Sequence, residues 1–222
     1  MTIGFASLAA PLAQLFPEAN IVAGKEGPGT AAAILKKPDD LLLRVIEGKQ
    51  ASNLISDVLS HEDVRTLLGV LPAYSPVIGE ARVQSGAWQR GRHRAVGVSI
   101  PLIDAMAGEA ALLYVETDGV PSSVLVEFPN PADRTNARIH VASGGRVTDV
   151  DTLAAAATTA CTVDCLLRCL PLYGCSGLAL TLCTAALLTC PFFFPTCFAA
   201  WGCTLYCGGA FAQCNCWCHC TC

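Results

Sequence analysis

The sequence predicts an α+β domain, with helices first and an antiparallel sheet after them, followed by a small, disulfide-rich and mainly helical hydrophobic module. Apolar residues recur at helical spacing before residue 70 and alternate along short segments from residue 79. A segment rich in cysteine begins after residue 160. We therefore divide the chain into a front domain (1–145), a linker with candidate cleavage sites (146–160) and a cysteine-rich module (161–222).

Helices are predicted in the first third of the chain. Met1–Phe16 has an apolar helical face, and no basic residue precedes the apolar stretch within this segment. We therefore expect a core-facing helix and not a secretory signal. Residues 29–70 also favour helices, with one apolar stripe along Leu41–Ile46 and a second along Leu54–Leu68. Ser52 is a candidate N-cap for the second helix.

Alternating apolar residues then predict a sheet of about five strands. Arg82–Trp88 and Ala95–Ile100 flank a polar turn, which is typical of a hairpin. Residues 1–150 carry their own pattern of helices and strands and contain no cysteine, so we expect them to fold alone. Three further segments predict an antiparallel meander that is hydrophobic on one face, and they are Leu112–Thr117, Ser123–Phe128 and Ala137–Ala142.

All 14 cysteines lie in the last 62 residues. An even number at this density favours a disulfide scaffold, because so short a module forms only a marginal core and each bridge contributes about 2–4 kcal/mol. The spacing leaves the pairing open. The predicted disulfide cysteines are Cys161, Cys165, Cys169, Cys175, Cys183, Cys190, Cys197, Cys203, Cys207, Cys214, Cys216, Cys218, Cys220 and Cys222.

Two alternatives to disulfides remain open. Alternate thiolates at the end of the chain can converge on a soft ion such as Zn²⁺ or Cu(I), which would make the chain a cytosolic metal-binding protein; otherwise no cofactor is expected. The second alternative is a ribosomally made peptide whose cysteines form thioether rings. Such rings need one Ser or Thr per Cys, and the module has only eight for its fourteen cysteines. The predicted metal ligands of the first alternative are Cys214, Cys216, Cys218, Cys220 and Cys222.

The module is also apolar and almost uncharged, with no Asp, Glu, Lys or Arg after Arg168. Such a small module has too little interior to hide this surface, so we expect exposed patches that contact a lipid membrane. Pro191 and Pro195 disfavour one straight spanning helix, and a buried core helix followed by a turn is the alternative. The predicted membrane-contact residues are Leu178, Leu180, Leu187, Leu188, Phe192, Phe193, Phe194 and Trp201.

Small residues mark the junction between front domain and module. The glycine pair after the last predicted strand and the run Ala154–Ala160 are accessible sequences of the kind that proteases cut. The candidate cleavage positions are Gly144, Gly145, Ala157 and Ala160.

Motifs for catalysis are absent from the sequence. It contains no nucleophile motif, phosphate-binding loop or metalloprotease helix, so we expect no catalytic residues and no enzyme activity. No block of like charge points to nucleic acid as a partner.

The segment CTVDCLLRC, the evenly spaced Cys183, Cys190 and Cys197, and the order of front domain, junction and module resemble the halocin-type bacteriocin precursors. In that family a cysteine-rich microhalocin is released from an N-terminal part that serves as the immunity protein. The resemblance implies a secreted, membrane-active module and a front domain that is cytoplasmic or membrane-associated and masks it. The implied partners are a target-cell membrane and export and processing machinery. The sequence has no twin-arginine pair, so export needs another signal or a dedicated transporter.

Overall fold

An antiparallel sheet organises the described part of the chain. The computed structural model describes residues 39–131, 136–150, 165–166, 168–190, 195–210 and 213–214. Within these ranges the sheet has eight strands in the order β1-β3-β4-β5-β6-β7-β8, with β2 beside β4. The strands are β1 (Leu42–Val45), β2 (Ser75–Pro76), β3 (Arg82–Trp88), β4 (His93–Ile103), β5 (Glu109–Thr117), β6 (Val120–Phe128), β7 (Arg138–Ser143) and β8 (Arg146–Val150).

Short turns connect neighbouring strands and explain the meander. Asp118 and Gly119 join β5 to β6 with φ values of 51° and 83°. Two-residue turns with positive φ at both positions fit the twist of a hairpin, and Asp-Gly is a favoured pair. Gly144 and Gly145 join β7 to β8 in the same way, with φ values of 58° and 73°. From β3 to β8, each strand therefore pairs with the next one along the chain.

Two amphipathic helices cover one face of the sheet. Helix α1 (Gly48–Ser60) and helix α2 (Glu62–Val70) meet at His61. Their apolar stripes pack against alternate residues of the central strands, as amphipathic helices do on a sheet. The core on this face includes Ile55, Val58, Val64, Leu67, Val83, Val98, Ile100, Leu102, Leu112 and Leu125.

The cysteine-rich module covers the opposite face, which we call the module-facing side. It contributes helices α3 (Gly177–Thr189), α4 (Pro195–Trp201) and α5 (Cys203–Tyr206), and residues 168–172 are also helical. The sheet is therefore the middle of three layers. The core on this side includes Leu113, Val115, Val124, Val126, Phe128, Ile139, Leu170, Leu182, Leu187 and Phe198.

The predicted combination of helices with an antiparallel sheet, the helices within 48–70, and the hairpin and meander are confirmed. The predicted order, with all helices before the sheet, is not confirmed, since β1 precedes α1, and the prediction of one hydrophobic face is wrong. Both faces of the sheet are buried. In β5, Ala110–Val115 is a continuous apolar run, which is typical of a strand covered on both sides. The second hydrophobic face is the one that the module occupies.

Other boundaries also differ from the prediction. Leu42–Val45 forms β1 and not a helix, because Leu41 and Leu43 alternate onto the module-facing side while the backbone pairs with β3. Helix α1 begins at Gly48, and Ser52 lies inside it with its hydroxyl donating to the Gly48 carbonyl (3.2 Å), so Ser52 is not an N-cap. The described sheet has eight strands against about five expected, and β8 occupies the first residues of the predicted linker. The helix predicted at Met1–Phe16 lies outside the described residues.

Candidate functional site

The contact between the sheet and the cysteine-rich module is the candidate functional site. Helix α3 is apolar around its whole circumference, and such a helix needs cover on every side. The sheet covers one side, and α4, α5 and the helical residues 168–172 cover the others. Nine residues of α3 are buried, and they are Leu180, Thr181, Leu182, Cys183, Thr184, Ala185, Ala186, Leu187 and Thr189.

Phe198 of α4 packs on two glycines of the sheet, Gly86 and Gly97. A Cβ placed on Gly86 would lie 2.5 Å from the Phe198 ring, and one on Gly97 would lie 3.2 Å from it. Gly86 lies in β3 and Gly97 lies in the neighbouring strand β4. Because neither residue has a side chain, together they leave room for one aromatic ring. Trp88 borders the ring, with the two ring centroids 6.5 Å apart. The glycines thus match the sheet to the module at this position.

Gln84 is the polar centre of the interface. Its side chain is buried, its Nε2 donates to the Phe198 carbonyl (2.6 Å), and its Oε1 accepts from the Tyr206 hydroxyl (2.5 Å). Gly202 packs on the amide so closely that a Cβ there would overlap it. Burial raises the pKa of Tyr206, an effect that Arg82 partly opposes, so the phenol stays protonated and donates.

A second polar contact ties α3 to the start of β5. The Thr181 hydroxyl donates to the Glu109 carboxylate (2.6 Å). Hydrogen bonds to a charged acceptor are stronger than neutral ones, so this contact fixes the position of α3 along the strand.

The described disulfides lie within the module. Cys165 is also disulfide-bonded. The front domain contains no cysteine, so no disulfide joins it to the module. Five of the predicted disulfide cysteines lie outside the described residues: Cys161, Cys216, Cys218, Cys220 and Cys222. The four pairs found are Cys169–Cys214, Cys175–Cys207, Cys183–Cys203 and Cys190–Cys197.

Of the residues predicted to contact a membrane, those that the structure describes are buried or half-buried. Leu180, Leu187 and Trp201 are buried, and Leu178 and Leu188 are half-buried. Among the described residues, no helix has both the length and the apolarity needed to cross a bilayer. The predicted contacts Phe192, Phe193 and Phe194 lie outside the described residues.

The predicted cleavage positions fall in two places. Gly144 and Gly145 form the turn between β7 and β8, where the Gly145 backbone N–H donates to the Asp63 carboxylate of α2 (2.7 Å). Ala157 and Ala160 lie outside the described residues.

Of the ligands predicted for a soft metal, Cys214 is paired with Cys169, so in this oxidised form its sulfur is not a free thiolate. Elsewhere, the sulfurs of Cys175, Cys183 and Cys207 lie within 4.8 Å of one another. The spacing of the cysteines in the sequence does not indicate this grouping.

The residues that match sheet to module were not predicted. Gln84, Gly86 and Gly97 looked like ordinary strand positions, since a sheet with a solvent-facing side tolerates polar residues and glycine there. The available signal is that Gly86 and Gly97 lie inside strands, where glycine marks a close approach of another chain segment.

Comparison of this chain with protein-family models, with curated proteins and with solved structures finds no match.

Proposed function

We propose that the chain is the precursor of a halocin-like, cysteine-rich bacteriocin. In this proposal the module is released by cleavage in the linker, is secreted with its disulfides formed, and acts on the membrane of a target cell. The front domain masks the module before release and gives the producer immunity by the same contact. Export and processing machinery are the other partners of the precursor.

The observation that carries the proposal is the burial of the uncharged module on the sheet. The module has no charged side chain after Arg168. Nine of the 13 residues of α3, its longest described helix, are buried. Burying apolar area lowers the free energy by about 25 cal/mol per Å², and the same driving force would take this surface into lipid once the sheet is removed. The sheet face and the membrane are thus alternative partners for one apolar surface.

The way the module is held also supports release. No disulfide crosses from module to front domain, and all four described pairs lie inside the module. A cut in the linker therefore leaves only non-covalent contacts, while the bridges keep the module's own conformation. Disulfides persist in oxidising compartments, which agrees with action outside the cell.

The direct test is controlled release from the full chain. The recognition sequence of a specific protease is inserted between residues 151 and 160, and the oxidised protein is added to dye-loaded phosphatidylcholine vesicles. We expect no leakage from the intact chain and rapid leakage after cleavage, with little dependence on salt because the module carries almost no charge. The control is the unmodified chain with the same protease. Absence of leakage after complete cleavage would contradict membrane action.

Gly86 separates masking from cleavage. A Gly86→Leu substitution places a side chain where the Phe198 ring lies, so the cut module should dissociate more readily and leakage should rise. Gly69→Ala is the matched control, because a Cβ on Gly69 meets no atom within 4 Å. Equal leakage from both variants would show that the sheet face does not restrain the module.

The alternative proposal is a soft-metal-binding protein that uses the alternating cysteines at the end of the chain. Native mass spectrometry of the protein as isolated distinguishes the two. A loss of about 2 Da per cysteine pair supports disulfides, whereas bound zinc or copper that is lost when Cys216, Cys218, Cys220 and Cys222 are replaced by serine supports the alternative.

A further inference from the structure

Two disulfides of the module lie side by side. Cys175 pairs with Cys207, and Cys183 pairs with Cys203. The Sγ atoms of Cys183 and Cys207, which belong to different disulfides, are 3.3 Å apart. With Cys175 they form a group in which every sulfur lies within 4.8 Å of the others. We call these four residues the four-sulfur cluster.

Separate elements hold the cluster from two sides. Cys183 lies in the middle of α3, and Cys175 lies just before that helix. Cys203 begins α5 and Cys207 follows its end, so these two are four residues apart and share one side of the turn. Cys175, Cys183 and Cys203 are buried, whereas Cys207 is half-buried and gives the cluster an edge towards solvent.

The cluster has the composition of a tetrahedral thiolate site, and three of its four sulfurs, those of Cys175, Cys183 and Cys207, already lie within 4.8 Å of one another. A Zn–S bond of about 2.3 Å places neighbouring sulfurs of a tetrahedron about 3.8 Å apart. The 3.3 Å separation between the two disulfides is already close to that value. Four sulfur donors in this arrangement select Zn²⁺, since hard cations prefer oxygen.

We propose that the reduced form of this protein binds one Zn²⁺ ion through the thiolates of Cys175, Cys183, Cys203 and Cys207. This site is distinct from the alternating cysteines at the end of the chain. A zinc ion there would hold four of the cysteines in their native neighbourhood and keep them from pairing with the wrong partners before oxidation. The inference does not depend on the proposed function.

The exchange between the two forms is balanced. A dithiol reductant of the thioredoxin class gives four electrons and four protons to the two disulfides, and two reductant molecules leave as disulfides. The four thiols release four protons as their thiolates bind Zn²⁺. In the reverse direction, two disulfides of the thioredoxin class accept four electrons from the four thiolates. Both disulfides of the protein form again and the zinc ion is released, while the two new dithiols take up four protons.

The test uses the full chain reduced with a phosphine and titrated with Zn²⁺ under nitrogen. We expect one tightly bound ion per chain by native mass spectrometry. Cys175→Ser/Cys207→Ser should weaken zinc binding by about 100-fold or more. Cys190→Ser/Cys197→Ser removes the same number of thiols elsewhere and should leave the affinity within about 3-fold.

Cobalt provides a readout that does not depend on how well a double variant folds. Co²⁺ bound to four thiolates gives sulfur-to-metal charge-transfer absorption, and Cys203→Ser should lower its intensity by about a quarter while the ion stays bound. A variant with Cys216, Cys218, Cys220 and Cys222 replaced by serine should keep the full spectrum. No bound ion in the reduced chain, or loss of the ion in that last variant, would overturn the proposal.

Discussion

Gln84 gives the apolar interface between sheet and module a defined geometry. Apolar contacts alone tolerate sliding, but a buried amide must keep both its donor and its acceptor paired. The Phe198 carbonyl of α4 and the Tyr206 hydroxyl of α5 satisfy the two ends of the same side chain. One strand residue therefore fixes two helices of the module at once.

Gln84→Leu is expected to destabilise the full chain by about 2 kcal/mol, because it removes both bonds of the amide and leaves the Tyr206 hydroxyl without its acceptor, while the Phe198 carbonyl keeps its bond from the Gly202 backbone N–H (3.2 Å). Tyr206→Phe should cost about 1 kcal/mol, and the double variant should cost about as much as Gln84→Leu alone, since the two residues share one bond. Urea denaturation of the four proteins measures this. Tyr173→Phe is the control, because Tyr173 is 47% exposed, and strict additivity would contradict the shared bond.

Asp118 makes the turn between β5 and β6 sensitive to acid. Burial alone would raise the pKa of its carboxyl, but hydrogen bonds from the His93 ring (2.7 Å) and the Arg94 backbone N–H (2.9 Å) outweigh burial and hold the pKa below its ordinary value of 3.8. A carboxyl whose pKa falls on folding stabilises the native state above its unfolded pKa. That contribution is lost as the pH falls through the folded pKa.

We therefore expect the free energy of unfolding to fall from about pH 5 downwards and Asp118→Ala to remove part of that fall. The measurement is denaturant unfolding of the full chain at several pH values between about 3 and about 7. Asp57→Ala, on the exposed side of α1, is the control. A variant whose pH profile runs parallel to that of the unchanged protein would show that the turn contributes nothing to acid sensitivity.

At the scale of elements, strong local patterns in the sequence predicted the structure well. The predicted hairpin and meander depend on the pattern of neighbouring residues, and strands β3 to β7 were found at the predicted segments. Strand β1 was missed because the apolar stripe along Leu41–Ile46 favours a helix, whereas pairing with the distant strand β3 makes Leu42–Val45 a strand. The module-facing side was missed because residues that are distant in the sequence cover it.

The hairpin of β7 and β8 affects where the linker can be cut. A protease needs its substrate extended and unpaired, whereas Gly144 and Gly145 sit in a tight turn whose flanking strands are hydrogen-bonded and whose backbone is tied to Asp63. We expect limited proteolysis of the native chain to cut within residues 151–160 and to leave the glycine pair intact. Intact-mass analysis of the fragments locates the cut, and a fragment that starts at Gly145 or Arg146 would contradict this expectation.

At the scale of the whole molecule, the three layers change what is expected of the front domain alone. Its sheet has an apolar face that includes Leu113, Val124 and Val126, and the module covers that face in the full chain. Without the module this face becomes a large exposed apolar patch.

A chain of residues 1–150 should therefore keep its strands and the core under α1 and α2, but be less stable than the full chain and self-associate or bind a hydrophobic dye. Circular dichroism, dye fluorescence and light scattering measure these three properties. Chains of residues 1–150 with Leu113→Ser and Val124→Ser should associate less, whereas Met106→Ser, at a residue that is 91% exposed, should have no effect. A monomer as stable as the full chain would show that the module adds nothing to the front domain.

The order of the layers along the chain also bears on synthesis at the ribosome. Every strand from β3 to β8 pairs with its sequence neighbour, so this part of the sheet needs only local contacts and should form quickly once residue 150 has emerged. At about 5–20 residues per second, the linker and the module follow over several seconds. The apolar module therefore emerges after the sheet face that receives it. We expect the sheet of the nascent chain to shield the module's apolar surface from the moment that the module leaves the ribosome.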